Sequence, residues 1–323
     1  MNRILKTIRL LANNLSDRPL GIDVTMDAQT PEGIAYDLYQ PARAAAATVI
    51  VVYGLDLAGE TDSRLVRFAS ACASAGLRAA VPHLAGLKSY CFSQDDIQAI
   101  AGLAESLHRR FSSPIGVIGF SAGGSYALLA AGRGLEWIDP IVLFSPYYSL
   151  DGTPPIRRPK DKAQLVTDSD WDYYLWCQFI GAFRSLDRSD FSAAERAEVI
   201  EMLGEFCNAG LERKRQVYQK LLASRPPYEI SESLFAGQDL SPFSLAGKLG
   251  QVRGRVFLLH DPNDDMIPPE HSRCILAELE QRGPPAVQDL LVTNLISHVM
   301  PAYHFHPSEG IKVIRMLSHL FPR

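Results

Sequence analysis

One serine in this sequence stands where a hydroxyl can be made to do chemistry. The segment Gly119-Phe120-Ser121-Ala122-Gly123 places Ser121 between two glycines, with a third at Gly124. The apolar run Ile115 to Phe120 precedes it and helical spacing over 121–132 comes after it, which predicts a tight turn from strand to helix. Gly119 and Gly123 leave no side chain where strand and helix pass close together. A hydroxyl attacks a carbonyl only when a base removes its proton and an anion orients that base. The chemistry this turn could support is therefore nucleophilic, through a covalent intermediate.

Candidates for the acid and the base lie downstream. The run Val256 to His260 ends in Asp261-Pro262-Asn263-Asp264-Asp265-Met266-Ile267-Pro268, so Asp261, Asp264, Asp265 and the nearby Glu270 are all candidate acids. The run Val287 to Val292 leads into Thr293-Asn294-Leu295-Ile296-Ser297-His298. His298 comes 34 positions after Asp264, room for one helix and one strand, while His304 and His306 lie further along the same segment as rivals. His260 belongs to a strand end and reads as a maker of structural hydrogen bonds.

These residues need a scaffold, and the rest of the chain supplies its pattern. Gly21 to Met26 and Ile34 to Tyr39 alternate in polarity around Thr30-Pro31-Glu32-Gly33, which predicts an antiparallel hairpin. Continuous apolar runs then occur at Thr48–Tyr53, Leu77–Val81, Ile115–Phe120, Ile141–Phe144, Val256–His260 and Val287–Val292. Runs of this length suit parallel strands buried on both faces. Helical spacing lies between them at 63–75, 94–111, 121–132 and 269–281, with Gly76, Gly132 and Gly283 placed as stops, and a last helix at 310–320. The expected fold is α/β: a doubly wound, mostly parallel sheet with an N-terminal β-hairpin.

The block from Asp151 to Gln238 breaks this rhythm. A Pro- and charge-rich loop opens it, helical segments come next around 171–183, 193–207 and 211–223, and no strand pattern appears. The expected organisation is a core of 1–150 with 239–323 and a helical cap or lid over 151–238, where ligands bind in open α/β sheets. A packing or dimerisation role is the competing reading. Trp171 and Trp176 in this block, like Tyr53 in the core, are candidates for lining a pocket, although aromatic stripes also pack cores.

Taken in order and spacing, these motifs resemble the α/β-hydrolase family over 48–150 and 239–320. The family's acid loop runs H-G-x-x-D-x-x-V-P, and here His260, Asp261 in place of Gly, Asp264, Ile267 and Pro268 are similar to it. The resemblance implies Asp264 as the triad acid and His298, in a small-residue-His turn, as the base. It implies backbone N–H donors for an oxyanion at Ala122 and at Leu55, the latter after Tyr53-Gly54 where the family has His-Gly. The His-Gly-Gly-Gly form of many lipases and esterases is absent. The activity implied by the resemblance is hydrolysis of a carboxylic ester or thioester through an acyl-enzyme on Ser121, with no cofactor and a small-molecule or carrier-bound acyl substrate. An acyltransferase or C–C bond hydrolase would use the same constellation, and a non-catalytic binding module is the reading from a different class.

Composition narrows the partners. With 47% apolar and 21% charged residues the chain is of the ordinary globular kind, and a net charge of -4 leaves no basic footprint for nucleic acid. Five scattered cysteines without a CxxC pair suit reduced thiols, so no metal site is expected and the cytoplasm is the expected compartment. No stretch is long enough to span a bilayer. Arg9 interrupts the apolar residues of 1–15, which therefore read as an amphipathic helix packing on the body, with membrane-surface contact as the alternative. Homo-oligomerisation is left open.

Overall fold

The structure is a computed structural model that describes residues 2–16, 22–150, 239–264, 266–281, 288–301 and 306–322, together with parts of the stretch 162–224. Eight strands form one sheet in the order β1-β2-β4-β3-β5-β6-β7-β8. They are β1 (Ile22–Gln29), β2 (Ala35–Pro41), β3 (Ala47–Val52), β4 (Leu77–Pro82), β5 (Ile115–Phe120), β6 (Ile138–Phe144), β7 (Val256–His260) and β8 (Gln288–Val292). β1 and β2 pair antiparallel as a hairpin, and β2 joins β4 antiparallel. From β4 to β8 every pairing is parallel, so the carboxyl ends of β3 to β8 lie along one edge.

The continuous apolar runs are explained by this placement. Val49, Ile50, Val51 and Val52 of β3 and Val117 and Ile118 of β5 are fully buried, covered on both faces. The flanking helices are α1 (Arg3–Asn14), α2 (Ser63–Ser74), the single turn α3 (Ala85–Lys88), α4 (Gln94–Phe111) and α5 (Ala122–Ala131). α6 (Leu211–Ser224), α7 (Glu270–Glu280) and α8 (Pro307–Leu317) complete the set. α2 starts where the Asp62 carboxylate accepts the N–H groups of Arg64 and Leu65, and α4 where Ser93 Oγ accepts that of Asp95. Gly76 ends the α2 segment at φ +98°, as expected of a C-terminal glycine. α5 ends at Ala131 with Gly132 as its cap, as expected, and the chain turns left-handed two residues later at Gly134. Gly283 lies outside the described residues.

The chain forms two compact units, Met1–Ile156 with Ser241–Arg323, and Arg157–Leu240. Among its described residues, the second unit is helical at α6 and has a small core around Leu175, Cys177, Val217 and Tyr218. Tyr218 Oη donates to Gln178 Oε1 at 3.2 Å within it. The helices expected at 171–183 and 193–207 fall mostly outside the described residues.

Candidate active site

The sheet order explains why chemistry collects at one place. The chain passes from β3 outward to β4, then returns to the other side of β3 as β5, so the connections that follow the parallel neighbours β3 and β5 run off to opposite sides. Ser121 comes directly after β5, and Gly54 lies two residues beyond β3. A Cβ on Gly54 would lie 3.0 Å from Ser121 Cβ and 3.6 Å from its Oγ, so the β3 loop abuts the serine.

The turn at Ser121 is tight in the sense the glycine spacing predicts. Ser121 has φ 51° and ψ -127°, a conformation rare for a residue with a side chain. Its N–H donates to Phe144 O at 2.8 Å, and the Gly124 N–H donates back to Ser121 O at 2.9 Å, which holds the strain in place. A Cβ at Gly123 would sit 1.9 Å from Tyr53 O, and one at Gly119 would sit 2.5 Å from Gly124 Cα. Both positions admit only glycine. Ala122 begins α5 and is buried; Leu55, next to Gly54, is half-buried.

At the ends of β7 and β8 the structure brings together Asp264 and His298. His298 Nδ1–H donates to Asp264 Oδ2 at 2.6 Å. Asp264 is 6% exposed, and its other oxygen accepts the N–H groups of Ile267 at 2.9 Å and Met266 at 3.1 Å. Burial alone would raise this carboxyl. The hydrogen bonds from His260 and His298 outweigh it and hold the group well below the usual carboxylate range. His298 is thus presented with a permanently charged acceptor on Nδ1, which leaves Nε2 as the ring's acceptor. Among the described residues no hydrogen bond joins Ser121 Oγ to the His298 ring; such bonds often tighten only with substrate bound.

Three further residues brace this pair: Asp261, Ser145 and His260. Asp261 Oδ2 accepts the His298 N–H at 3.1 Å, so the two aspartates divide the labour: Asp261 holds the backbone and Asp264 the ring. Ser145, at the end of β6, donates from Oγ to His298 O at 2.8 Å. With φ 54° His298 is itself left-handed, and the pair β9 (Ile296–Ser297) and β10 (Met300–Pro301) forms a minimal hairpin around it. His260, fully buried, has Nε2 at 2.7 Å from Ile267 O and at 3.5 Å from Asp264 Oδ2, with Nδ1 at 2.7 Å from Ser272 Oγ. A carbonyl can only accept, so Nε2 carries the hydrogen and the Ser272 hydroxyl donates to Nδ1. The signal for Asp261 and His260 was their place in the acid loop; for Ser145 there was none.

The remaining sequence candidates sort by position. Tyr53 is buried under the β3 loop, where its hydroxyl accepts the Leu84 N–H at 2.8 Å; burial raises its pKa well above the phenol range. Trp171 belongs to the second unit, stacked beneath the Arg215 guanidinium at 5.0 Å and edge-on to Tyr174. Trp176, Asp265 and His304 lie outside the described residues, and His306 is exposed just ahead of α8. Among the described residues one group of metal-capable side chains occurs, Asp27, Asp37 and His83, on the β1–β2–β4 side of the sheet. The two nitrogens of His83 lie 3.0 Å from Asp37 and 3.6 Å from Asp27.

Known structures with this architecture share a name for it. An esterase from Pyrococcus furiosus superposes with a TM-score of 0.53 at 14% identity, over 94% of this chain and 93% of that one. The 2-hydroxy-6-oxo-6-phenylhexa-2,4-dienoate hydrolase of Rhodococcus sp. strain RHA1 gives 0.52 at 14% identity, over 92% and 99%. A serine hydrolase from the polyaromatic-hydrocarbon-degrading Cycloclasticus zankles gives 0.51 at 15% identity, over 93% and 97%. The chain has the α/β-hydrolase fold. No family model matches the sequence. No curated protein matches it either.

Proposed function

We propose that the protein is a serine hydrolase that cleaves a carboxylic ester or thioester through an acyl-enzyme on Ser121. The observation that carries this reading is the 2.6 Å bond between His298 Nδ1 and the charged Asp264, on the same strand-end edge as the strained Ser121. Ser121 Oγ attacks the carbonyl carbon while His298 Nε2 accepts its proton, and the imidazolium so formed is stabilised by Asp264. The oxyanion takes up the N–H groups of Ala122 and Leu55, which flank the nucleophile from α5 and the β3 loop. Collapse expels the alcohol or thiol, protonated by His298. Water, deprotonated in turn by His298, then releases the acid and restores Ser121.

The second compact unit, Arg157–Leu240, is inserted in the sequence between β6 and β7. The first test is hydrolysis of short p-nitrophenyl esters: Ser121→Ala is expected to abolish it with an unchanged circular dichroism spectrum. Undiminished turnover in that variant would remove Ser121 from the mechanism.

A further inference from the structure

Three side chains that the proposed chemistry does not use converge where β1, β2 and β4 meet: Asp27, Asp37 and His83. The register of the hairpin explains how. Thr25 pairs with Leu38 and Ala28 with Tyr36, so Met26 and Asp27 of β1 both stand against the single residue Asp37 of β2. A bulge of this kind re-aims a side chain that regular alternation would point elsewhere. Asp27 adopts φ 51° there, and its N–H donates to Asp37 Oδ1 at 3.0 Å. Asp37 pairs with Val81 of β4, and His83 comes directly after that strand, its N–H donating to Ala35 O at 3.0 Å. A nitrogen of His83, an oxygen of Asp37 and an oxygen of Asp27 thus lie within 4.8 Å of one another.

Asp37 is left incompletely paired. The residue is 1% exposed, and its Oδ1 meets both the Asp27 N–H and His83 Nε2, at 3.0 Å each. Its Oδ2 is closed off from solvent and has no hydrogen-bond partner. A buried carboxylate oxygen without a positive partner is costly, and His83 reaches only Oδ1. The second carboxylate, Asp27, lies 3.6 Å from His83 Nδ1 and adds negative charge to the same spot.

The geometry points to a site for a first-row divalent cation, with zinc as the type ion, held by Asp37, His83 Nε2 and Asp27. Two carboxylates and one imidazole are donors that zinc accepts, and a water completes four-coordination. Metal–ligand bonds of about 2.1 Å put the ligand atoms of a tetrahedron about 3.4 Å apart. His83 Nε2 and Asp37 Oδ1 already stand 3.0 Å apart, and the remaining closure falls to Asp27, whose side chain is 85% exposed and can turn inward. The cation supplies the Asp37 carboxylate with the positive partner that its Oδ2 lacks. Ligation takes Nε2 in its deprotonated form, so the ring proton resides on Nδ1. Since the ligands come from the bulge of β1, the middle of β2 and the end of β4, the ion fastens the edge hairpin to the parallel strands. The role is structural, and none of the three residues belongs to the proposed triad.

Equilibrium dialysis of the whole protein, first stripped with a chelator, against zinc chloride at about pH 7.5 tests this, with bound metal read by elemental mass spectrometry. About one equivalent is expected to bind, and the thermal midpoint to rise by about 4 °C at about a hundredfold excess of zinc over Kd. Asp27→Gly, which suits a positive φ, and His83→Gln are each expected to weaken zinc binding at least about tenfold. Thermal midpoints without metal show that both variants fold. His298→Ala is expected to keep the full equivalent, which separates this site from the Asp264–His298 pair. Equimolar magnesium or calcium is not expected to displace the zinc, because an imidazole ligand favours the transition ion. A wild-type protein that takes up no zinc overturns the proposal, as does binding that survives unweakened in either folded variant. Loss of the bound equivalent in His298→Ala with retention in His83→Gln would move the ion to the catalytic pair and likewise overturn it.

Discussion

Asp261 and Asp264 stand three residues apart and grip the same histidine at different points. Oδ2 of Asp261 accepts the His298 backbone N–H at 3.1 Å, and Oδ2 of Asp264 accepts the ring Nδ1–H at 2.6 Å. In the proposed mechanism only the second contact touches the group that gains and loses a proton. Asp264→Asn is therefore expected to lower kcat by about 10³-fold or more, because an amide favours the wrong tautomer and cannot stabilise an imidazolium. Asp261→Asn keeps a carbonyl oxygen for the N–H and is expected to cost on the order of 10-fold. Steady-state kinetics on one ester decides; equal losses in the two variants would contradict this division of roles.

His260 fixes the loop that presents Asp264. Its Nε2–H reaches Ile267 O at 2.7 Å, and Ser272 Oγ lies 2.7 Å from Nδ1. His260→Ala leaves a buried carbonyl and a buried hydroxyl without partners and opens a cavity, and is expected to cost about 3 kcal/mol of stability. His260→Gln, whose amide can occupy the Nε2 position, is expected to recover part of that loss. Urea unfolding of the two variants at neutral pH checks the order.

The structure also sets a pH dependence through His271, fully buried in the first turn of α7. Its Nδ1 accepts the Tyr148 N–H at 2.8 Å, and burial lowers its pKa to about 4. The unfolded chain binds a proton here near the ordinary histidine value, so between that value and about 4 the unfolded state holds more protons. Stability consequently falls with acidification across this window. Taking the protein from pH 7.5 to pH 5 is expected to remove roughly 2 kcal/mol through this group alone. His271→Asn, which keeps an acceptor for the Tyr148 N–H, should flatten that slope; an unchanged slope would contradict the assignment.

Two glycines separate packing necessity from mere presence. A Cβ at Gly123 would meet Tyr53 O at 1.9 Å, backbone against which nothing can yield, whereas at Gly250 it would meet nothing within 4 Å. Gly123→Ala is expected to destabilise by about 3 kcal/mol or to prevent folding, and Gly250→Ala to stay within about 0.5 kcal/mol. Thermal midpoints measure both.

Much of this was legible in the sequence because burial on both faces of a parallel sheet writes itself as unbroken apolar runs. Ile115–Phe120 and Val256–His260 match the strands residue for residue, and 94–111 matches α4. Gly119 and Gly123 were legible because sterics at a strand-to-helix turn admit little else. Ser145 was not: a lone serine after a strand carries no mark of the His298 carbonyl it holds from 153 residues away. The resemblance pointed to Asp264 as the acid, but the hold of Asp261 on the His298 backbone N–H was hidden, since spacing puts both aspartates on one loop. Tyr53 reads as an aromatic beside the nucleophile, yet its hydroxyl is bound to Leu84, whose approach depends on the β3–β4 pairing.

The central claim is that Ser121 is a nucleophile activated by His298 on Asp264. Its most direct test is mass spectrometry of the protein after reaction with a fluorophosphonate, alongside Ser121→Ala and His298→Ala. The account predicts a single phosphonyl adduct on the peptide containing Ser121, absent in Ser121→Ala and formed at least about 100-fold more slowly in His298→Ala. A folded wild-type protein that takes up no adduct at Ser121, or one labelled equally fast without His298, would contradict it.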